Sequence, residues 1–80
     1  MLPDFPVGSI VTLNGGGLAH HRKLTKHGGQ GIQFANGHLT QTEAAGTFVW
    51  LGTDDGRNAM VRSNVSGREG MLARSMFRKA

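Results

Sequence analysis

Residues 47–77 read TFVWLGTDDGRNAMVRSNVSGREGMLARSMF, and this stretch decides the fold class. Thr47–Leu51 is the densest run of β-branched and aromatic residues in the chain, which is typical of a strand. Thr53–Gly56 supplies turn residues, because Asp-Gly tolerates positive φ. In Arg57–Ser63, small and β-branched residues alternate with longer, mostly polar ones, which is typical of a strand with one solvent-exposed face. The stretch therefore predicts strand, turn, strand, turn, strand and a final tight bend.

The segment after Val65 fits two alternatives. Ser66 and Glu69 have the spacing of a capping box, and residues 71–80 (MLARSMFRKA) contain good helix formers. Gly67 and Gly70 count against a helix, because each costs about 1 kcal/mol relative to Ala. A helix here would give one alternative for the fold, a β-sheet packed against a C-terminal helix.

The other alternative rests on a resemblance. Residues 67–77, GREGMLARSMF, resemble the closing segment of SH3 domains. In that family Gly-x-x-Gly, two apolar residues, Pro-Ser and Asn-Tyr-Val form a turn, a strand, a 3₁₀ bend and a last strand. Arg74 stands at the family's Pro, Phe77 falls near its Tyr, and the Ala-Leu-Tyr-Asp-Tyr type of motif is missing from the first strand. The resemblance implies a mainly β fold, a small SH3-like barrel of five to six strands, without the Tyr-lined groove for Pro-rich peptides.

Shorter elements are expected in the first half of the chain. Val7–Leu13 is rich in β-branched residues and predicts a strand, and Gly15–Gly17 predicts a flexible turn after it. Leu18–Gln30 holds three His and few apolar residues, so we expect a long loop with a short strand. Asn36-Gly37 predicts a type I′ hairpin turn. Thr42–Ala45 predicts a single helical turn.

Length and composition limit the classes of protein to which the chain can belong. Eighty residues predict a single domain over residues 1–80, and the strand pattern and the resemblance to SH3 domains make it a small β-barrel domain. The chain has no Cys, which excludes disulfides and thiolate metal sites. No apolar run approaches the roughly 18 residues of a membrane span, and the first residues lack the pattern of a signal peptide. We therefore expect a cytoplasmic protein with no membrane partner.

The net charge of +4 is concentrated in the last third of the chain. Residues 57–80 carry six basic side chains against Glu69 alone, which favours nucleic acid or an acidic protein surface as the partner. Trp50 would stack on a base if its ring reached the surface, although a core position is the more economical interpretation. The candidate binding residues are Arg57, Arg62, Arg68, Arg74, Arg78, Lys79 and Trp50.

The chemistry-bearing residues do not assemble into an active site. His20 and His21 would point to opposite faces of a strand, so they do not ligate one metal ion together. Gly15–Gly17 lacks the residues that complete a phosphate-binding loop. Asp54 and Asp55 are ordinary turn residues with no base placed beside them. We therefore predict no catalytic residue, no metal and no cofactor, and a protein that is not an enzyme.

These observations favour a small, non-catalytic protein that binds nucleic acid through an Arg-rich surface. One alternative is a protein-binding adaptor or inhibitor module, of the kind that phages and other mobile elements encode, anchored by Met60, Met71 or Met76. Another is a small structural subunit that forms a homo-oligomer through exposed strand edges.

Overall fold

The computed structural model describes residues 4–54 and 56–80, and it is mostly β. Within these residues, a long strand meander follows a first half that contains one strand, two helices and a small hairpin. In chain order the elements are β1 (Ile10–Leu13), α1 (Gly15–Thr25), β2 (Gln33–Phe34), β3 (Gly37–His38), α2 (Gln41–Ala45), β4 (Thr47–Thr53), β5 (Asn58–Ser63), β6 (Glu69–Ala73), a 3₁₀ helix (Arg74–Met76) and β7 (Phe77–Lys79).

Five strands form one antiparallel sheet in the order β6-β5-β4-β1-β7. The first strand lies near one side of this sheet, with Val11 opposite Phe48 of β4 and opposite Lys79 of β7. Strands β2 and β3 form a separate hairpin, and β2 packs against β6. Among the described residues no pairing joins β6 to β7, so the sheet is not closed into a barrel by strand pairing.

The core lies on the inner face of the five-stranded sheet. Phe48 and Trp50 of β4 alternate with more exposed neighbours and are fully buried, as the period of two along a strand requires. Phe77 packs edge-on against both, with ring centroids 5.5 Å from Phe48 and 5.8 Å from Trp50. Burying each such side chain contributes about 1.5–3 kcal/mol, so this aromatic cluster is the main apolar contribution at the centre of the sheet.

The predicted meander is confirmed, and the C-terminal helix alternative is wrong. Residues 69–79 form strand, 3₁₀ helix and strand, in the order that the resemblance to SH3 domains implies. Gly67 has φ +77, outside the helical region, and a Cβ on Gly70 would lie 2.6 Å from the backbone N of Ala35. The two glycines therefore allow a turn and a close approach to the β2–β3 hairpin, and neither opens a helix.

The loop expected up to residue 30 is confirmed for residues 26–30, which form neither helix nor strand, but the predictions for residues 15–25 are wrong. A helix occupies Gly15–Thr25, where we expected a flexible turn and a long loop. Asn14 caps it by accepting a hydrogen bond from the Gly17 backbone N (2.8 Å), so the glycines form the first helical turn. A Cβ on Gly17 would lie 2.7 Å from the Met76 carbonyl oxygen, so glycine is required where α1 packs against the 3₁₀ helix.

Smaller shifts affect the other elements. The first strand begins at Ile10, three residues later than predicted. The hairpin exists, but its pairing places Ala35 and Asn36 at the turn centre, with φ +54 at Ala35, so the predicted type I′ turn at Asn36-Gly37 is wrong by one residue. The expected helical turn is confirmed as α2, while Asp55 of the predicted Asp-Gly turn lies outside the described residues. No helix in the described ranges has the length and apolar character to cross a membrane.

Candidate nucleic-acid interface

Arg68, one of the predicted binding residues, forms an ion pair with a buried carboxylate. Glu43 is 1% exposed, and the Arg68 Nη2 donates to its Oε1 at 2.5 Å while Nε donates to its Oε2 at 3.1 Å. The same Nη2 donates to the His38 carbonyl oxygen at 2.8 Å, and the guanidinium lies 5.4 Å from the Phe34 ring centroid. Arg68, which directly precedes β6, therefore ties the β5–β6 connection to α2 and to the β2–β3 hairpin.

The remaining hydrogen bonds to the Glu43 carboxylate come from a backbone N–H group and a hydroxyl group. Thr40 and Glu43 form a capping box at the start of α2, with the Thr40 backbone N donating to Oε1 at 2.9 Å. The Ser66 hydroxyl donates to Oε2. The hydrogen bonds from Arg68, joined by those from Ser66 and Thr40, outweigh burial and lower the pKa of Glu43 to about 2. The carboxylate is thus charged at neutral pH and held by four donors.

Two further arginines of the predicted site lie beside acidic groups. Arg62 on β5 pairs with Glu69 on β6 across the outer face of the sheet, at 3.6 Å between Nη1 and Oε2. Arg74 donates to the Gly56 carbonyl oxygen at 3.2 Å. Hydrogen bonds from backbone N–H groups, that of Gly56 first, lower the pKa of Asp54, and the Arg74 charge acts in the same direction. The basic surface predicted from residues 57–80 is therefore partly neutralised within the fold.

Trp50 is not available for base stacking. Its side chain is fully buried, in edge-on contact with Phe5 (4.9 Å between centroids) and Phe77. Phe34, Phe48 and Phe77 are buried as well. Among the described aromatic residues, only the half-buried Phe5 reaches solvent, so the protein presents no aromatic platform of the kind used for single-stranded nucleic acid.

The exposed cations without an acidic partner among the described residues come from two parts of the chain. Within the described residues, no ion pair involves Arg57, Arg78 or Lys79, all exposed, of which the last two lie on β7 at the edge of the sheet. The second group lies on the exposed side of α1, and it was missed because that segment was predicted to be a loop. The sequence signal for it was the Asn14 cap followed by basic residues one helical turn apart. This α1 group consists of Arg22 and Lys23 in the last turn of the helix and Lys26 at its C-cap.

Two depressions adjoin the α1 group. A shallow groove of about 720 Å³ runs along the helix past Arg22, Lys23 and Lys26 to Gln41. A deeper cleft of about 240 Å³ lies between α1 and α2, and it shares Arg22 and Gln41 with the groove. None of the described acidic side chains lines either depression. The cleft between α1 and α2 is called the helix cleft below. It is lined by residues of both helices, which include Leu18, His21 and Arg22 from α1 and Gln41, Ala44 and Ala45 from α2.

His21 is the one buried histidine among the described residues. The backbone N of Ile32 donates to its Nδ1 at 3.3 Å, so the neutral ring carries its proton on Nε2, which has no partner among the described residues. Burial, and secondarily the neighbouring His20, lower the pKa of His21. A Cβ on Gly31 would lie 2.5 Å from Cε1, so the ring packs directly on the backbone before β2.

Neither a metal centre nor a similar protein assigns a chemistry to these groups. No cluster of three or more His, Cys, Asp or Glu side chains suited to a metal ion occurs in residues 4–54 and 56–80. Comparison with protein-family models, with curated proteins and with solved structures gave no match.

Proposed function

We propose that this protein is a small, non-catalytic binder of nucleic acid that contacts phosphate groups through cations on α1 and on the outer part of the C-terminal segment. The observation that carries the proposal is the distribution of ion pairs. Glu43 and Glu69 are each held by an arginine, whereas two groups of three exposed cations have no acidic partner among the described residues. Exposed cations without an acidic partner on a small basic protein favour a polyanionic partner.

The contacts are with the backbone of the nucleic acid. Phosphate contacts give affinity and salt dependence without reading sequence, and an exposed aromatic platform is missing from the described surface. We therefore expect binding that is largely independent of sequence, and that is no tighter to single strands than to duplex. This revises the expected site: α1 is added, while Arg68 and Trp50 act within the fold.

Two variants with the same change in net charge test the location of the site. The first replaces Arg22, Lys23 and Lys26 with Gln, and the second replaces Arg57, Arg78 and Lys79 with Gln. Fluorescence anisotropy with a labelled duplex, from about 50 to 200 mM salt, gives the slope of log K against log salt. Each cation that touches a phosphate accounts for roughly one unit of this slope, so we expect each triple variant to reduce it by up to about three. The proposal would be refuted if the wild-type protein did not bind the duplex at the lowest salt concentration.

We also propose that the sheet is the core of an SH3-like barrel. In support, a three-strand meander (β4, β5, β6) is followed by a 3₁₀ helix and a last strand, and this strand pairs with the first. These are the elements that the resemblance of residues 67–77 implies. Nuclear Overhauser effects between side chains of β6 and β7 across a shared core would support the barrel, and their absence would contradict it.

A second candidate function, docking to a protein, is favoured by the outer face of the sheet. Met60 and Met71 lie opposite each other there, 36% and 47% exposed, and Ile10 on β1 is exposed on the same face. Exposed apolar side chains on neighbouring strands are typical of an interface. Replacing Met60 and Met71 with Gln should abolish such docking but leave nucleic-acid affinity unchanged, so the two functions can be tested separately.

A further inference from the structure

We infer that the helix cleft is a seat for one phosphate group of the bound nucleic acid, and that Arg22 is its principal ligand. This inference rests on the proposed function and adds a fixed point of contact to it. An otherwise diffuse electrostatic surface would then hold its partner at one defined position on α1.

The shape of the cleft limits what it can hold. Its volume of about 240 Å³ lies below the range of roughly 300–1,000 Å³ found for drug-sized ligands. Leu18, Ala44 and Ala45 give it apolar walls. A space of this size takes a phosphate with part of its sugar but no complete base pair, which suits contact with a backbone.

The chemistry of the mouth favours an anion with several oxygen atoms. Arg22 carries a planar guanidinium, and such a group binds phosphate through two parallel hydrogen bonds. Gln41 adds an amide donor on the opposite helix, and both side chains are exposed. Because none of the described carboxylates lines the cleft, a cation has no charged ligand there, while an anion meets donors from both helices.

His21, which also lines the cleft, carries a further donor. Its Nε2 carries a proton and has no partner among the described residues, which is a costly state for a buried polar atom. Since His21 is among the residues that line the cleft, a phosphate oxygen bound there is an acceptor of the kind that this donor lacks.

Lys23 provides a matched control for Arg22. The two residues are adjacent on α1 and carry the same charge, but only Arg22 lines the cleft. We expect Arg22→Gln to weaken duplex binding by about tenfold or more, and Lys23→Gln by only about two- to threefold, as a general charge effect. Arg22→Lys should recover part of the loss, because it restores the charge without the two-pronged geometry.

A variant that fills the cleft without changing charge is the second test. Ala45 is exposed on a cleft wall, and Ala45→Leu keeps every cation in place and suits a helix. We expect it to weaken duplex binding to a similar extent as Arg22→Gln. In ¹H–¹⁵N spectra, inorganic phosphate should shift the resonances of Arg22 and Gln41 in the wild type, and these shifts should disappear in Ala45→Leu.

The outcomes separate the inference from the proposed function. Equal losses for Arg22→Gln and Lys23→Gln, with no effect of Ala45→Leu, would overturn the phosphate seat while duplex binding itself stands. Phosphate shifts spread evenly over all surface cations would overturn it too. If wild-type protein does not bind duplex at low salt, both the seat and the proposed function fall.

Discussion

Loss of the Glu43 charge should destabilise the fold in a way that depends on pH. Glu43 has a pKa of about 2 in the folded protein, against 4.5 in an unfolded chain. Because the folded-state value is the lower one, the stabilisation is complete above about pH 5 and is lost as the pH falls toward about 2. The unfolded chain takes up the proton first, and acid therefore favours unfolding.

The size of this effect follows from the two pKa values. Each tenfold difference in proton affinity corresponds to about 1.4 kcal/mol, so the contribution at neutral pH is about 3 kcal/mol. Glu43→Gln leaves the Arg68 guanidinium without its partner, but that side chain is 36% exposed, so water solvates the remaining charge and no further large penalty is added. A domain of this length has a total stability of about 4–12 kcal/mol, so Glu43→Gln should remove a quarter of it or more.

Urea unfolding at several pH values measures this contribution directly. Trp50, the only tryptophan of the chain, is fully buried and reports unfolding by fluorescence. With a slope of about 1 kcal/mol per M urea, Glu43→Gln should lower the midpoint at pH 7 by about 3 M. If that variant does not fold, Ser66→Ala removes one donor to the same carboxylate and gives a milder form of the experiment.

Glu69→Gln is the matched control, because it makes the same substitution in an ion pair whose side chains are 43% and 54% exposed. Exposed pairs contribute about 0–1 kcal/mol, so this variant should resemble the wild type. Equal midpoints for Glu43→Gln and Glu69→Gln would refute the reasoning. So would a Glu43→Gln variant that loses as much stability between pH 5 and 2 as the wild type does.

Other consequences of the fold can be tested by the same unfolding assay. Gly31→Ala should lower the free energy of unfolding clearly more than Gly28→Ala. Both positions have positive φ, but a Cβ at Gly31 would meet the His21 ring, whereas Gly28 has open space around it. Equal losses of stability would contradict this. The lowered pKa of His21 means that stability should fall as the pH drops below about 6.5, and His21→Gln should weaken that dependence; an unchanged profile would show that another group titrates. Asn14→Ala should cost about 0.5–2 kcal/mol through loss of the cap on Gly17, whereas a neutral result would show that α1 needs no cap.

The second half of the fold was predictable because its signals are local. Alternation along β4 and β5 follows from the period of two, and glycines separate the strands where backbone turns or approaches are needed. The first half was not predictable to the same degree. The three glycines after Asn14 have poor helix propensity, and α1 depends on packing against Met76, which is remote in sequence. Tertiary contact overrides local preference there.

The candidate site was predictable only in its overall charge. Counting basic residues in the last third gave Arg68 and Arg78 the same weight, although one lies against a buried carboxylate and the other on an exposed strand. What decides the difference is Glu43, which is 25 residues away from Arg68 along the chain. A count of basic residues does not detect a partner this far away in sequence. Because Arg68 is paired, the cations available to a ligand lie more on α1 than the count indicates.

The position of β1 bears on how the protein reaches its folded state. Residues 10–13 pair with partners near residue 48 and near residue 78, so one side of the sheet is made of contacts between distant parts of the chain. Such contacts close large loops, which slows folding relative to a helical bundle of the same size. During synthesis on the ribosome, β1 must wait for both partners, and the aromatic core stays incomplete until Phe77 has emerged. The hairpins of β4, β5 and β6 can form before that moment, but the apolar side of β1 remains exposed to chaperones and to other chains until then.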